Sequence, residues 1–187
     1  NIGGNWHTDH SYDQIPALGS MLYAKELPKV GGDTLFAGCA AAFDTLSEGM
    51  KSTLRSLRAV HSSRHVFGKS AAIPDDMADL FGNADKALQD AEHPVVIKHP
   101  LSGRETLYVN PGFTTRFVGW TEKESNSLLA FLYEHISRPE HTYRFQWSKG
   151  ALAFWDNRAT WHLAVNDYPG ETRLMHRITI EGEPLEP

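Results

Sequence analysis

The tripeptide His7-Thr8-Asp9 stands at the start of the chain, and its chemical complement, His162, stands near the end. Two imidazoles and one carboxylate are the donor set of the facial triad, which holds a redox-active ferrous ion and leaves coordination positions open. No other feature constrains the fold as much. In an extended segment successive side chains alternate faces, so His7 and Asp9 are expected on one face with Thr8 pointing away. His162 is far too distant in sequence to join them locally, so a different strand must carry it alongside. An H-x-D tripeptide alone arises often by chance. With the distal His, and with Arg173 following it in a strand-like run, the pattern points to a metal site built between strands.

At 187 residues the chain is expected to form one domain, residues 1–187, large enough to bury a sizeable core. Its 41% hydrophobic and 22% charged content is ordinary for a globular protein. The net charge of −5 leaves no basic footprint, so no nucleic-acid partner is expected. One cysteine, Cys39, excludes an internal disulfide and suits a reducing, cytoplasmic location. No apolar run approaches the roughly 20 residues that cross a bilayer, so no membrane partner is expected. Composition leaves the oligomeric state open, a homo-oligomer included. Asn1-Ile2-Gly3-Gly4 resembles neither a signal nor a transit peptide. There is no initiator Met and the metal ligands arrive at once, so an N-terminally truncated fragment is expected.

Short β-rich runs dominate, at residues 20–24, 95–98, 106–109, 142–147, 151–155, 161–165 and 175–180. Turn signals separate them: Pro28, Gly31-Gly32-Asp33, Ser102-Gly103, Lys149-Gly150 and Pro169-Gly170. The expected class is mainly β with helical decoration, a two-sheet sandwich or jelly roll. Thr121-Glu122-Lys123-Glu124 is a capping box opening a helix with Leu128, Leu129, Leu132 and Ile136 on its apolar face. Phe43, Leu46, Met50, Leu54 and Leu57 also keep helical spacing, with Gly49 the expected point of division. Both stripes are read as core-packing faces. Residues 68–92 are acidic, Ala-rich and weakly periodic, with Pro74 and Gly82 as punctuation, and are expected to form a mobile lid insertion.

Four segments, in order, carry a family resemblance: Asn5-Trp6-His7-Thr8-Asp9, Gly31-Gly32-Asp33-Thr34, Trp155-Asp156-Asn157-Arg158-x-Thr160-x-His162 and Arg173-x-x-His176-Arg177-x-Thr179. They resemble the taurine dioxygenase/TfdA family of iron(II)- and 2-oxoglutarate-dependent oxygenases, and the likeness runs to about Gly182. The resemblance implies a double-stranded β-helix, or jelly roll, and an enzyme. Iron(II) would be bound by His7, Asp9 and His162, with 2-oxoglutarate as cosubstrate and O2 as oxidant. Taken alone, His162 reads better as a packed strand histidine between Trp161 and Leu163, and the other motifs reverse that reading. His10, one step beyond Asp9, has the wrong strand phase for a ligand.

By the same resemblance Thr34 and Arg173 would hold the distal carboxylate of 2-oxoglutarate. A buried dicarboxylate must be neutralised, and a guanidinium fork matches a carboxylate bidentately. Arg177, four residues after Arg173, shares its face in a regular strand and would lie near the iron-bound end of the cosubstrate and the substrate's acidic group. A solvated strand-edge charge is the alternative for either Arg. His176, between them in phase, is read as structural. Trp155-Asp156-Asn157-Arg158 is read as a tight turn delivering the strand of His162. Phe113 and Phe67 match aromatic positions of the family's substrate pocket, with core packing as the other reading. Gly3 and Val66 stand where taurine oxidisers carry Asn and Ser. His61, His65, His93, His99, His135 and His141 are expected at the surface or half-buried.

The implied reaction is hydroxylation of a small anionic organic substrate beside a heteroatom, with release of succinate and carbon dioxide. Alkyl sulfonates, sulfate esters and aryloxyalkanoates are the expected substrates. Two other classes remain at this point. A non-redox metal hydrolase or isomerase could use two His and one carboxylate with zinc, and a non-catalytic β-sandwich module would leave the triad unexplained.

Overall fold

The computed structural model describes residues 3–67 and 89–187, Phe67 by its backbone alone. Most of the insertion expected over 68–92 lies outside these residues, and its end, residues 90–92, is already strand. The described elements are β1 (Gly19–Glu26), β2 (Thr34–Gly38), α1 (Cys39–Asp44), α2 (Glu48–Arg55), β3 (Arg58–Ser62), α3 (Arg64–Phe67), β4 (Asp90–Pro94), β5 (Val96–Lys98), β6 (Glu105–Leu107), β7 (Thr114–Phe117), α4 (Glu122–Ile136), β8 (Thr142–Phe145), β9 (Leu152–Asp156), β10 (Thr160–Ala164) and β11 (Leu174–Ile180).

Early strands pair with late ones, which is how a double-stranded β-helix closes. One antiparallel sheet has the order β11-β1-β9 and the other β10-β2-β8. A third sheet, β4-β3-β7, and the ribbon β5-β6 lie outside this pair. The two main sheets meet through aromatic side chains: Trp155 of β9 lies 5.4 Å from Phe36 of β2 and 4.7 Å from His162 of β10, centroid to centroid. Strand alternation then sorts β10 into two environments. Trp161 enters the core with Phe43, Leu54, Phe117, Leu129, Leu132 and Ile136, whereas His162 faces the opposing sheet.

Both helical stripes pack on this core as their spacing requires. The capping box is complete, with Thr121 Oγ1 accepting from Glu124 N–H and the Glu124 carboxylate accepting from Thr121 N–H. The 43–57 segment does divide, but not at Gly49. The break falls at residues 45–47, where Ser47 caps α2 by accepting from Met50 N–H, and Gly49 sits inside that helix. A side-chain cap is a stronger start signal than a helix-interior glycine is a stop signal. Among the described residues no helix is long and apolar enough to cross a membrane.

Candidate active site

His7 joins the edge of the β10-β2-β8 sheet by a single bridge, donating its N–H to His162 O (3.1 Å) and accepting from His162 N–H (3.0 Å). The distal histidine is therefore brought directly opposite the first. The chain leaves the extended form right after Thr8: Asp9 starts a turn in which His10 adopts φ +58°. His7 and Asp9 nevertheless face one site as expected, and Thr8, buried between them, takes no part in it. His10 turns away, its Nδ1 bonded to Asp13 Oδ2 at 3.0 Å.

The ligand atoms of His7, Asp9 and His162 all lie within 4.8 Å of one another. Asp9 Oδ1 is 3.5 Å from His7 Nε2 and 3.7 Å from His162 Nε2. Each neighbouring polar atom of His7 and Asp9 is committed elsewhere. His7 Nδ1–H donates to Asn5 O at 2.8 Å, which leaves the lone pair on Nε2. Ser20 Oγ donates to Asp9 Oδ2 at 2.7 Å, which leaves Oδ1 for the centre. Burial, reinforced by His7 and Arg177, pushes the His162 imidazole down to about 3, so it is neutral. Its buried Nδ1 has no partner among the described residues. Burial would raise the Asp9 carboxyl, but the Arg177 guanidinium beside it opposes this, and the group is held well below the usual carboxylate range. Two imidazole Nε2 atoms, the one on His7 carrying its lone pair, converge on one carboxylate oxygen at 3.5 and 3.7 Å. The donor set therefore fits a divalent metal.

Glycine makes room for this. A Cβ on Gly112 would stand 2.7 Å from His7 Cβ, too close for any side chain. Gly3 has φ +84°, and a Cβ there would meet His7 Cε1 at 3.2 Å, at the edge of the metal-facing nitrogen.

Thr34 and Arg173 are brought together as the sequence implied. Arg173 Nε–H donates to Gly32 O at 2.9 Å and its Nη2 reaches Thr34 Oγ1 at 3.5 Å. Trp147 completes the group, donating Nε1–H to Thr34 Oγ1 at 3.0 Å and stacking under the guanidinium at 5.9 Å. Burial lowers the Arg173 pKa, the signature of a cation with too little counter-charge nearby. Thr34 lies on the face of β2 that carries Phe36, the partner of His162, one pleat repeat or about 7 Å along the strand. Arg177 lies opposite Leu22 on the inward face of β11, and its Nη1 donates to Asp9 Oδ1 at 3.4 Å. Its side chain is half exposed, whereas His176 points to the other face and is exposed.

Phe113 is buried and packs edge-on to His7 at 6.3 Å and to Tyr12 at 4.8 Å, so it walls the cluster of His7, Asp9 and His162. Val66 is half-buried in α3, whose His65 Nε2–H donates to Gly112 O beside Phe113. The Phe67 side chain lies outside the described residues. The Asp156 turn is structural as expected: its carboxylate takes Arg158 Nε and Nη2 at 2.9 and 2.6 Å and His99 Nε2 at 2.9 Å.

Several residues carry roles that the sequence reading did not give them: Asn5, Ser20, Trp147, Gly112 and Tyr12. Four histidines need correction. His61, His93, His99 and His135 are buried, because each sits at an inward position with an aromatic ring or a hydrogen-bond partner against it.

The family model for the taurine catabolism dioxygenase TauD, TfdA family matches residues 1–179. An alkylsulfatase of Acinetobacter baylyi is 38% identical over 182 residues, covering 96% of this chain and 57% of the relative. An alpha-ketoglutarate-dependent sulfate ester dioxygenase of Pseudomonas putida is 37% identical over 183 residues, covering 96% of this chain and 60% of the relative. The crystal structure of AAD-2 in complex with Mn(II) and N-oxalylglycine superposes with a TM-score of 0.84 at 30% identity, covering 97% of this chain and 70% of that one. The chain thus spans 57–60% of the length of the two curated relatives.

Proposed function

The chain belongs to the TauD/TfdA family of taurine catabolism dioxygenases, and on that premise we propose that it is an iron(II)- and 2-oxoglutarate-dependent dioxygenase of small anionic organic compounds. The observation that carries this reading is the pairing of two half-sites on one sheet face. A three-donor metal centre lies one pleat repeat from an arginine clamp, a spacing suited to a short dicarboxylate with one end at the metal. The structural relative with Mn(II) and N-oxalylglycine supports it, since that ligand differs from 2-oxoglutarate by NH in place of CH2. A zinc hydrolase or isomerase would leave the Thr34–Arg173–Trp147 clamp without a purpose.

In this reading His7, Asp9 and His162 hold iron(II), which with bound 2-oxoglutarate supplies oxidative hydroxylation by O2 as the cosubstrate leaves as succinate and carbon dioxide. The chain's own residues do the rest. Arg173 and Thr34 neutralise and orient the distal carboxylate, and Trp147 fixes the Thr34 hydroxyl as donor to it by occupying one of its lone pairs. Ser20 keeps Asp9 presenting a single oxygen. Phe113 and Tyr12 exclude water from one side of the centre, and Arg177 offers its half-exposed guanidinium to an anionic head group.

The substrate we propose is an organic sulfate ester or sulfonate more apolar than taurine. Arg177 supplies the anion partner and the Phe113–Tyr12 wall the apolar surface. Gly3 leaves open the ground above His7 where a polar side chain would serve an amino-sulfonate. Hydroxylation at the carbon bearing a sulfate oxygen yields an aldehyde and inorganic sulfate. A cytoplasmic location is proposed with it, on the strength of the single, free and buried Cys39. Competition between taurine and a medium-chain alkyl sulfate, read by succinate and sulfate release, tests the substrate. The alkyl sulfate should win; taurine turning over faster overturns the assignment.

A further inference from the structure

We infer that Asn110 is a positioning residue that couples the metal-ligand turn to the aromatic wall of the pocket. The inference rests on the metal-site reading above. After Asp9 the chain makes its turn through His10, Ser11, Tyr12 and Asp13, closed by Asp13 N–H donating to His10 O at 3.0 Å. Ser11 is fully buried although a turn residue of this kind normally faces water. The reason is Asn110, itself 1% exposed, whose Nδ2–H donates to Ser11 Oγ at 2.9 Å.

The other end of the same amide faces the pocket wall. Asn110 Oδ1 accepts from Phe113 N–H at 2.9 Å, and the Asn110 N–H donates to Thr114 Oγ1 at 2.9 Å. Its carbonyl accepts from Thr114 N–H at 3.0 Å and from Tyr133 Oη at 3.2 Å. One planar amide thus spans two loops that are distant in sequence: the loop bearing Asp9, and the loop bearing Phe113 together with Gly112, whose lack of a side chain lets His7 sit where it does. A second anchor acts on the same turn, as His93 Nε2–H donates to Asp13 O at 3.0 Å.

The consequence is mechanical. The Asn110 side chain holds the turn that follows Asp9 at a fixed separation from the backbone of Phe113, the aromatic wall of the proposed pocket. Ser20 orients the Asp9 carboxylate from one side, and Asn110 holds the turn that delivers it from the other. Arg173 and Thr34 lie on separate elements that this amide does not touch.

Two variants of the full chain test the assignment. Ser11→Ala removes only the loop-side contact, and Asn110→Ala removes both. Each should weaken cobalt(II) affinity, followed by titration in the absence of oxygen, by about tenfold, the value of one buried hydrogen bond. The double variant should be no weaker in metal affinity than Asn110→Ala alone. Both variants should raise the ratio of succinate formed to substrate oxidised, with the 2-oxoglutarate KM within twofold of the parent, a split that a general loss of stability does not produce. If Asn110→Ala fails to fold, Ser11→Ala decides. Parent-like cobalt affinity and an unchanged ratio in a folded variant would overturn the inference. Cobalt titration requires no turnover, so a failed oxygenase assignment with the parent protein remains distinguishable from a failed coupling.

Discussion

Ser20 Oγ donates to Asp9 Oδ2 at 2.7 Å, and both groups are buried. The carboxylate is thereby made one-sided: Ser20 holds Oδ2, and Oδ1 faces both imidazoles with the Arg177 guanidinium 3.4 Å away. Ser20 lies on β1, in register with Trp155 of β9 and Thr179 of β11, so the middle strand of one sheet orients a ligand that approaches the other sheet.

Ser20→Ala should therefore weaken metal binding without unfolding the protein. A hydrogen bond to a buried charged group contributes about 1.5–3 kcal/mol, so metal affinity should fall by about one to two decades. Anaerobic cobalt(II) or manganese(II) titration measures it. Parent affinity would mean that Asp9 needs no help to hold its orientation.

Arg173→Ala should raise the 2-oxoglutarate requirement while leaving metal affinity alone. Truncating one partner of a partly buried, hydrogen-bonded charge pair costs about 3 kcal/mol, or about two decades in affinity. Trp147→Phe removes the Nε1 donor to Thr34 but keeps an aromatic surface under the guanidinium. It should shift the same parameter in the same direction by about 1 kcal/mol. Steady-state KM for 2-oxoglutarate reads both, and an unchanged KM in Arg173→Ala would move the cosubstrate's distal carboxylate to another cation.

Two glycine-to-alanine variants should behave oppositely. At Gly112 the added carbon meets His7 Cβ at 2.7 Å, so His7 or its loop must move. Overpacking costs about 1–3 kcal/mol of stability, and metal affinity should fall with it. At Gly49, inside α2, nothing lies within 4 Å. Alanine there should stabilise by about 0.5–1 kcal/mol with metal affinity unchanged. Denaturant melts paired with metal titration separate the two cases.

His61 gives the apoprotein an acid-labile spot. Burial first, then the neighbouring His93, holds its imidazole well below its ordinary value of 6.5. Tyr108 stacks on it and Thr114 Oγ1 meets its Nδ1, and among the described residues no carboxylate offsets a proton there. The unfolded chain binds a proton near pH 6.5 and the folded one does not. The contribution is thus complete above about 6.5 and is lost as pH falls toward the folded value, by at most about 1.4 kcal/mol per pH unit. Chelator-treated parent and His61→Gln proteins, compared by melting between pH 7.5 and 5.5, should converge as pH falls. Parallel curves would contradict this.

The legible parts of the sequence were those with a strong local signal. The capping box fixed the start of α4 to the residue, because a side-chain cap satisfies backbone donors independently of tertiary context. The seven strand-like runs all fall on strands, and the triad was legible because its three residues share one chemistry. Four strands were missed, β2, β7, β3 and β4, and the last two show why. Their inward positions are held by Ala59, His61, Ala91 and His93, so the alternation is real but lacks the β-branched residues that announce it. The same histidines looked like surface residues because imidazole is apolar enough to bury when an aromatic ring covers it. Ser20 and Trp147 escaped notice for a related reason. Their roles come from register and from a contact across the sheets, neither of which leaves a mark in the local sequence.

In the proposed enzyme a metal held by His7, Asp9 and His162 and an anion held by Arg173 and Thr34 share one site. Anaerobic addition of iron(II) and then 2-oxoglutarate to the protein, followed by visible absorbance, tests it most directly. A charge-transfer band should need both components, be absent in Asp9→Ala, and in Arg173→Ala appear only at far higher 2-oxoglutarate. A parent protein that binds iron(II) but gives no band at saturating 2-oxoglutarate would contradict it.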